Sequence, residues 1–124
     1  MAQPLALFLY EKLLPSGQLV NRFQDKGYRV QSIGAAATLL EHADREKPML
    51  LMVDLESRLN DVCEAIRQLK KNNSTAHIPI IAYASASKTT LHEEARAAGA
   101  TLVVTDAAIL VHLDQFLDQA LQLD

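Results

Sequence analysis

The sequence predicts an α/β domain in which a five-stranded parallel sheet is sandwiched by helices. Three observations lead there. Short apolar runs alternate five times with amphipathic stretches of helical spacing, and such alternation builds right-handed βαβ units on a parallel sheet. The chain of 124 residues has the length of one domain, so residues 1–124 read as a single unit. No internal repeat or low-complexity tract interrupts the pattern.

The strands are "LALFLY" (5–10), "YRVQSI" (28–33), "MLLMVD" (49–54), "IPIIAY" (78–83) and "TLVVT" (101–105). All are short and rich in Val, Ile, Leu and Tyr, as strands are. "YRVQSI" alternates polar with apolar and reads as a half-buried edge strand. The middle runs are nearly continuous, as expected of parallel strands covered on both faces.

The helices follow the 3.6-residue period. In "SGQLVNRFQDKG" (16–27), Leu19, Val20 and Phe23 share a face and Gly27 supplies a stop. "GAAATLLEHADREK" (34–47) gathers Ala36, Leu39, Leu40 and Ala43. "NDVCEAIRQLKK" (60–71) gathers Val62, Cys63, Ile66 and Leu69 behind Asn60 or Asp61 as N-cap. "SKTTLHEEARAAG" (87–99) starts at a Ser87 cap and stops at Gly99. One long last helix carries Ile109, Leu113, Phe116, Leu117, Ala120 and Leu121 at helical spacing, with Asp106 as its N-cap.

Composition narrows the function classes. With 49% hydrophobic and 22% charged residues, the chain is an ordinary globular protein rather than a disordered one. The single cysteine, Cys63, excludes an internal disulfide and suits a reducing cytoplasm; it reads as a small core residue. No apolar run approaches the ~18 residues that span a bilayer. "MAQPLALFLYEK" has no basic residue before its apolar part, so it makes a poor signal peptide. A net charge of −3 weighs against direct contact with nucleic acid. From Thr89 onward one cation, Arg96, faces six anions, a balance of −5 that leaves +2 on the residues before it.

In folds of this kind, sites form beyond the carboxyl ends of the strands. Asp54 ends the third strand and Tyr10-Glu11 ends the first, so both belong to that edge. No glycine-rich phosphate loop follows the first strand, and "ASASKTT" (84–90) lacks the glycines of a P-loop. The four histidines, at 42, 77, 92 and 112, show no zinc-ligand spacing, and no nucleophilic triad can be picked out. "KKNNS" (70–74) reads as a solvated loop.

The acidic residue after the first strand begins a longer series of signposts. "KGY" (26–28), "REKPMLLMVDLES" (45–57), "RLND" (58–61), "HIPIIAY" (77–83) and "AAGATLVV" (97–104) follow in order. Over essentially its whole length the chain thereby resembles the receiver domain of bacterial two-component response regulators. The resemblance implies the strand order 2-1-3-4-5 and a phosphoacceptor at Asp54, charged by a histidine kinase with the help of Mg²⁺. It places the family's metal-binding acidic pair on Tyr10 and Glu11, and its hydroxyl on Ala84, with Ser85 next. The lysine position of the family falls on Asp106, or on Thr105 with the strand displaced by one, and its aromatic switch falls on Val103. Here the acceptor remains while most of its supporting groups differ. A carboxylate at the lysine position opposes a phosphoryl dianion.

The first reading is therefore an atypical, or pseudo-, receiver: an interaction module in signal transduction, independent of phosphorylation and without enzymatic activity of its own. Its partner is a signalling protein, such as a histidine kinase or an output domain. The expected face is the fourth helix, fifth strand and fifth helix, with Glu93, Glu94, Asp114 and Asp118 on its polar rim, a face that would also support a homodimer. A second reading keeps Asp54 as a phosphoacceptor, with a weak Mg²⁺ site on Glu11 and Asp54. A third is a flavodoxin-like domain binding a nucleotide or flavin in the same crevice. On the blander side, Asp54 accepts loop hydrogen bonds and Asp106 merely caps a helix.

Overall fold

Five parallel strands form one sheet in the order β2-β1-β3-β4-β5. They are β1 (Leu5–Leu9), β2 (Arg29–Ile33), β3 (Leu50–Asp54), β4 (Ile80–Ala84) and β5 (Leu102–Thr105). The computed structural model describes residues 3–11, 16–56 and 61–121. The order and parallel pairing are those expected, and β2 lies at an edge with a half-exposed pattern. β1, β3 and β4 are buried along their whole lengths.

Alternation along the strands divides the core into two layers. Leu7, Leu9, Leu51, Val53, Ile80 and Ala82 face one side. There they meet α2 (Leu39–Glu46), α3 (Val62–Lys71) and α4 (Thr89–Ala98), through Leu39, Ile66 and Ala95 among others. Phe8, Met52, Ile81 and Tyr83 face the other side, against α1 (Ser16–Asp25), α5 (Asp106–Val111) and α6 (Leu113–Leu121). A period of two in the strands thus meets a period of 3.6 in the helices, and the two layers between sheet and helix are mainly apolar. No helix among the described residues is long and apolar enough to cross a membrane.

The helix ends show where local chemistry prevails. Gly27 and Gly99 both adopt positive φ, 93° and 113°, and stop α1 and α4 as expected. Asp61 caps α3, its Oδ1 accepting the Glu64 N–H at 3.1 Å; the alternative cap, Asn60, lies outside the described residues. Three expectations need correction. α2 begins only at Leu39, because residues Ala36–Thr38 form a 3-10 turn. α4 starts behind Lys88, without a side-chain cap, rather than behind Ser87. The single long last helix is two helices, since His112 leaves helical geometry at φ −113° and ψ 29°. At that break the Leu110 carbonyl accepts a hydrogen bond from Arg22 Nη1 of α1 at 3.0 Å, which satisfies a backbone group at a helix end.

Candidate functional site

Asp54 closes β3 on the same face as Met52, in register with Tyr83 of β4. It is only 2% exposed. A buried carboxylate requires donors, and the first is local: Oδ1 accepts the Glu56 N–H at 2.9 Å. The Leu55 N–H continues the ladder by donating to the Tyr83 carbonyl at 2.9 Å. At the end of β1, Tyr10 is half-buried, with its ring edge-on to Phe8 and its hydroxyl 3.2 Å from Ser32 Oγ. Glu11 is exposed. Of the acidic pair implied by the resemblance, one position thus holds a phenol already engaged with β2.

The end of β4 is equally altered. Ala84 presents a buried methyl where a hydroxyl was implied. Ser85 follows, and its N–H donates to Glu56 Oε2 at 2.6 Å. Its hydroxyl lies 3.1 Å from Ser87 Oγ, and its carbonyl accepts from His92 Nε2 of α4 at 3.1 Å. The carbonyl has no proton to give, so His92 carries its proton on Nε2.

β5 runs straight into α5. Thr105 ends the strand, pairs in register with Ala84, and caps the helix, its Oγ1 accepting the Ala108 N–H at 3.1 Å. The N-cap expected at Asp106 therefore belongs to Thr105, and Asp106 is the first helical residue. A carboxylate in the first turn is favourable there, opposite the positive end of the helix dipole. Neither position holds a cation, so no lysine enters the crevice from β5. Val103, at the implied aromatic position, packs half-buried against the core shared with α2, α3 and α4.

Two contacts were not foreseen. Glu56 joins the loop after β3 to the turn after β4. Tyr83, fully buried, holds Ser16 Oγ at the start of α1 at 2.6 Å. Burial pushes the Tyr83 hydroxyl well above its ordinary value of 10.0; the Ser16 bond opposes that shift, and Asp54 and Tyr10 add to it. The sequence does hold a signal for this contact. Tyr83 has the same strand parity as Ile81, so its hydroxyl must find a partner on the α1 face.

Among the described residues, no three His, Cys, Asp or Glu side chains gather as metal ligands. Glu11 and Asp54 offer hard oxygen donors of the type Mg²⁺ takes, but only two of them. A magnesium ion there would keep several waters, as it commonly does. Cys63 is buried and its thiol is pushed up by burial and then by Glu94, the setting of a core cysteine rather than of an activated thiolate.

The acidic residues expected on a partner face lie on two helices. Glu93 and Glu94 are exposed on α4, and Asp114 and Asp118 are exposed on α6, with the edge strand β5 between the two helix layers. Asp114 is ion-paired with Lys26, just past the end of α1, so its charge is partly committed within the fold. Asp114 and Asp118 thus belong to α6, which the sequence reading had fused with α5. At the α1 side of this junction a cavity of about 250 Å³ is lined by Arg22, Lys26, His112 and Asp114, among others.

No protein-family model and no curated protein matches the chain. Solved structures do. The receiver domain of a sensor histidine kinase from Pseudomonas aeruginosa, with a magnesium ion coordinated in its active-site cleft, is similar at a TM-score of 0.85 and 18% identity, over 97% of this chain and 98% of that one. The receiver domain of NtrX from Brucella abortus gives 0.83 and 15%, over 96% and 99%. The chemotaxis response regulator CheY4 of Vibrio cholerae gives 0.75 and 16%, over 92% and 98%. With the same sheet order and near-complete mutual coverage, this chain has the fold of a response-regulator receiver domain.

Proposed function

We propose that this domain is a signalling module that acts by binding a protein partner and does so without phosphorylation. The observation that carries this reading is the strand-end crevice itself. Its central carboxylate is kept on a receiver fold, while Ala84, Thr105 and Asp106 stand where a phosphoryl group would need a hydroxyl and a cation. A phosphoryl dianion on Asp54 would be met by no positive charge from β5, and electrostatic stabilisation is the main aid to such chemistry. The domain has no catalytic activity of its own in this reading.

The binding surface is the rim formed by α4, β5, α5 and α6, and the partner carries complementary basic charge, as a signalling kinase or output domain could. A second copy of the chain is the alternative occupant of that face. Charge reversal tests both. Lys substituted at Glu93, Glu94 and Asp118, which leaves the Lys26–Asp114 pair intact, is expected to lower partner capture and self-association about tenfold at low salt, with a smaller effect at high salt. Unchanged binding in both assays would end this assignment of the face.

One observation favours a second reading. Asp54 ends β3 as a phosphoacceptor would, and a fold neighbour coordinates magnesium in its cleft. In that case Glu11 and Asp54 hold Mg²⁺ with waters, and the ion supplies charge neutralisation at the acceptor. That reading requires Mg²⁺-dependent labelling by a small phosphodonor or a kinase, abolished by Asp54→Asn. A flavodoxin-like role has less support, since the sequence after β1 carries no glycine-rich phosphate loop.

A further inference from the structure

A continuous hydrogen-bonded path leads from the end of β3 to α4. The Glu56 N–H donates to Asp54 Oδ1 at 2.9 Å. The Ser85 N–H donates to the Glu56 carboxylate at 2.6 Å. His92 Nε2 donates to the Ser85 carbonyl at 3.1 Å. His92 is only 8% exposed, and its neighbours Glu93 and Glu94 face solvent on the proposed partner face.

The middle link differs from the others. Glu56 and Ser85 are 29 residues apart in the chain and belong to two different strand-end loops. A carboxylate on an N–H is short and roughly twice as strong as a neutral hydrogen bond. Within the turn after β4 the Lys88 N–H donates to the Ser85 carbonyl at 3.0 Å, and Ser85 and Ser87 share a hydroxyl contact. The Glu56 carboxylate thus ties this turn to the residue that also caps Asp54 Oδ1.

We infer that Glu56 is a built-in anion that latches the turn after β4 to the loop after β3, and so holds α4 with its acidic face in a fixed arrangement without any modification of Asp54. The chain supplies from within the negative charge that occupies the Ser85 amide. Any external anion seeking that amide has to displace Glu56 first. The inference deepens the phosphorylation-independent reading and rests on it for its meaning, although its test is separate.

The test compares the full chain with Glu56→Ala, which removes the carboxylate, and Glu56→Gln, which keeps an acceptor of the same length without the charge. Amide NMR and hydrogen exchange are read at Ser85 and along α4. In the Ala variant the Ser85 amide is expected to exchange about tenfold faster, with shift changes reaching the His92 ring and the amides of Glu93 and Glu94. The Gln variant is expected to fall between it and the parent. Unchanged exchange at Ser85 in both variants, or shifts confined to the loop after β3, would overturn the latch. Neither result touches the charge-reversal experiment, so a failure of the latch and a failure of the partner face are told apart.

Discussion

The Tyr83 hydroxyl lies 2.6 Å from Ser16 Oγ, and both residues are fully buried. The pair ties the end of β4 to the first residue of α1, 67 positions away. Removing one partner leaves the other hydroxyl desolvated. Tyr83→Phe is expected to cost about 1–3 kcal/mol, and Ser16→Ala a similar amount. The two changes together should cost less than their sum, because no orphan then remains. Urea denaturation of the two single variants and the double variant measures this directly.

The same phenol sets an alkaline limit. Its folded-state value is raised above the ordinary 10.0, so the folded protein holds this proton longer than the unfolded chain. The resulting stability is fully present below pH ~10 and is lost as pH rises through the folded value. Tyrosinate absorbance during an alkaline titration should therefore show one phenol appearing late, together with unfolding. Tyr83→Phe should remove that late step.

Gly99 stops α4 at φ 113°, and a Cβ added there would lie 2.8 Å from Lys70 Cγ. The lysine stem has little freedom to yield, because its Nζ donates to the carbonyls of Ala76 and Ile78 at 3.0 and 3.2 Å. Gly99→Ala is expected to destabilise by about 1–3 kcal/mol from the strained backbone and the clash. Adding Lys70→Ala to Gly99→Ala should relieve the clash but not the strain. Thermal denaturation of the three variants would separate the two causes.

Two adjacent residues compete for the role of cap on α5, and the structure assigns it to Thr105. Thr105→Ala should cost about 1 kcal/mol, the usual worth of an N-cap. Asp106→Ala should cost roughly 0.3–1 kcal/mol through the helix dipole alone. The reverse ranking in a stability series would restore the sequence reading.

Much of the fold was legible because burial enforces periodicity. The apolar runs had to be strands, and the Leu19–Phe23 and Cys63–Ile66–Leu69 faces had to be helical, since each lies between sheet and helix. The break at His112 was not legible. The spacing of Ile109, Leu113 and Leu117 continues through it, while Arg22, which takes the Leu110 carbonyl, is 88 residues away. The site was legible in its strand-end positions, Asp54 above all. Its wiring was not, because Glu56–Ser85 and Ser16–Tyr83 are long-range polar pairs with no local pattern. The cap on α5 was misplaced by one residue, since Thr and Asp both suit an N-cap.

The central claim is that the crevice no longer drives a phosphorylation switch, and one titration tests it most directly. Amide NMR spectra of the full chain would be recorded with Mg²⁺ and then with Mg²⁺ plus beryllofluoride, a mimic of the phosphoryl group, beside the Asp54→Asn variant. The account predicts no beryllofluoride-dependent shifts in α4, β5 and α5, with any response to Mg²⁺ confined to the surroundings of Glu11 and Asp54. Shifts that begin at Asp54, spread through Ser85 into α4 and β5, and vanish in Asp54→Asn would contradict it and establish a working receiver.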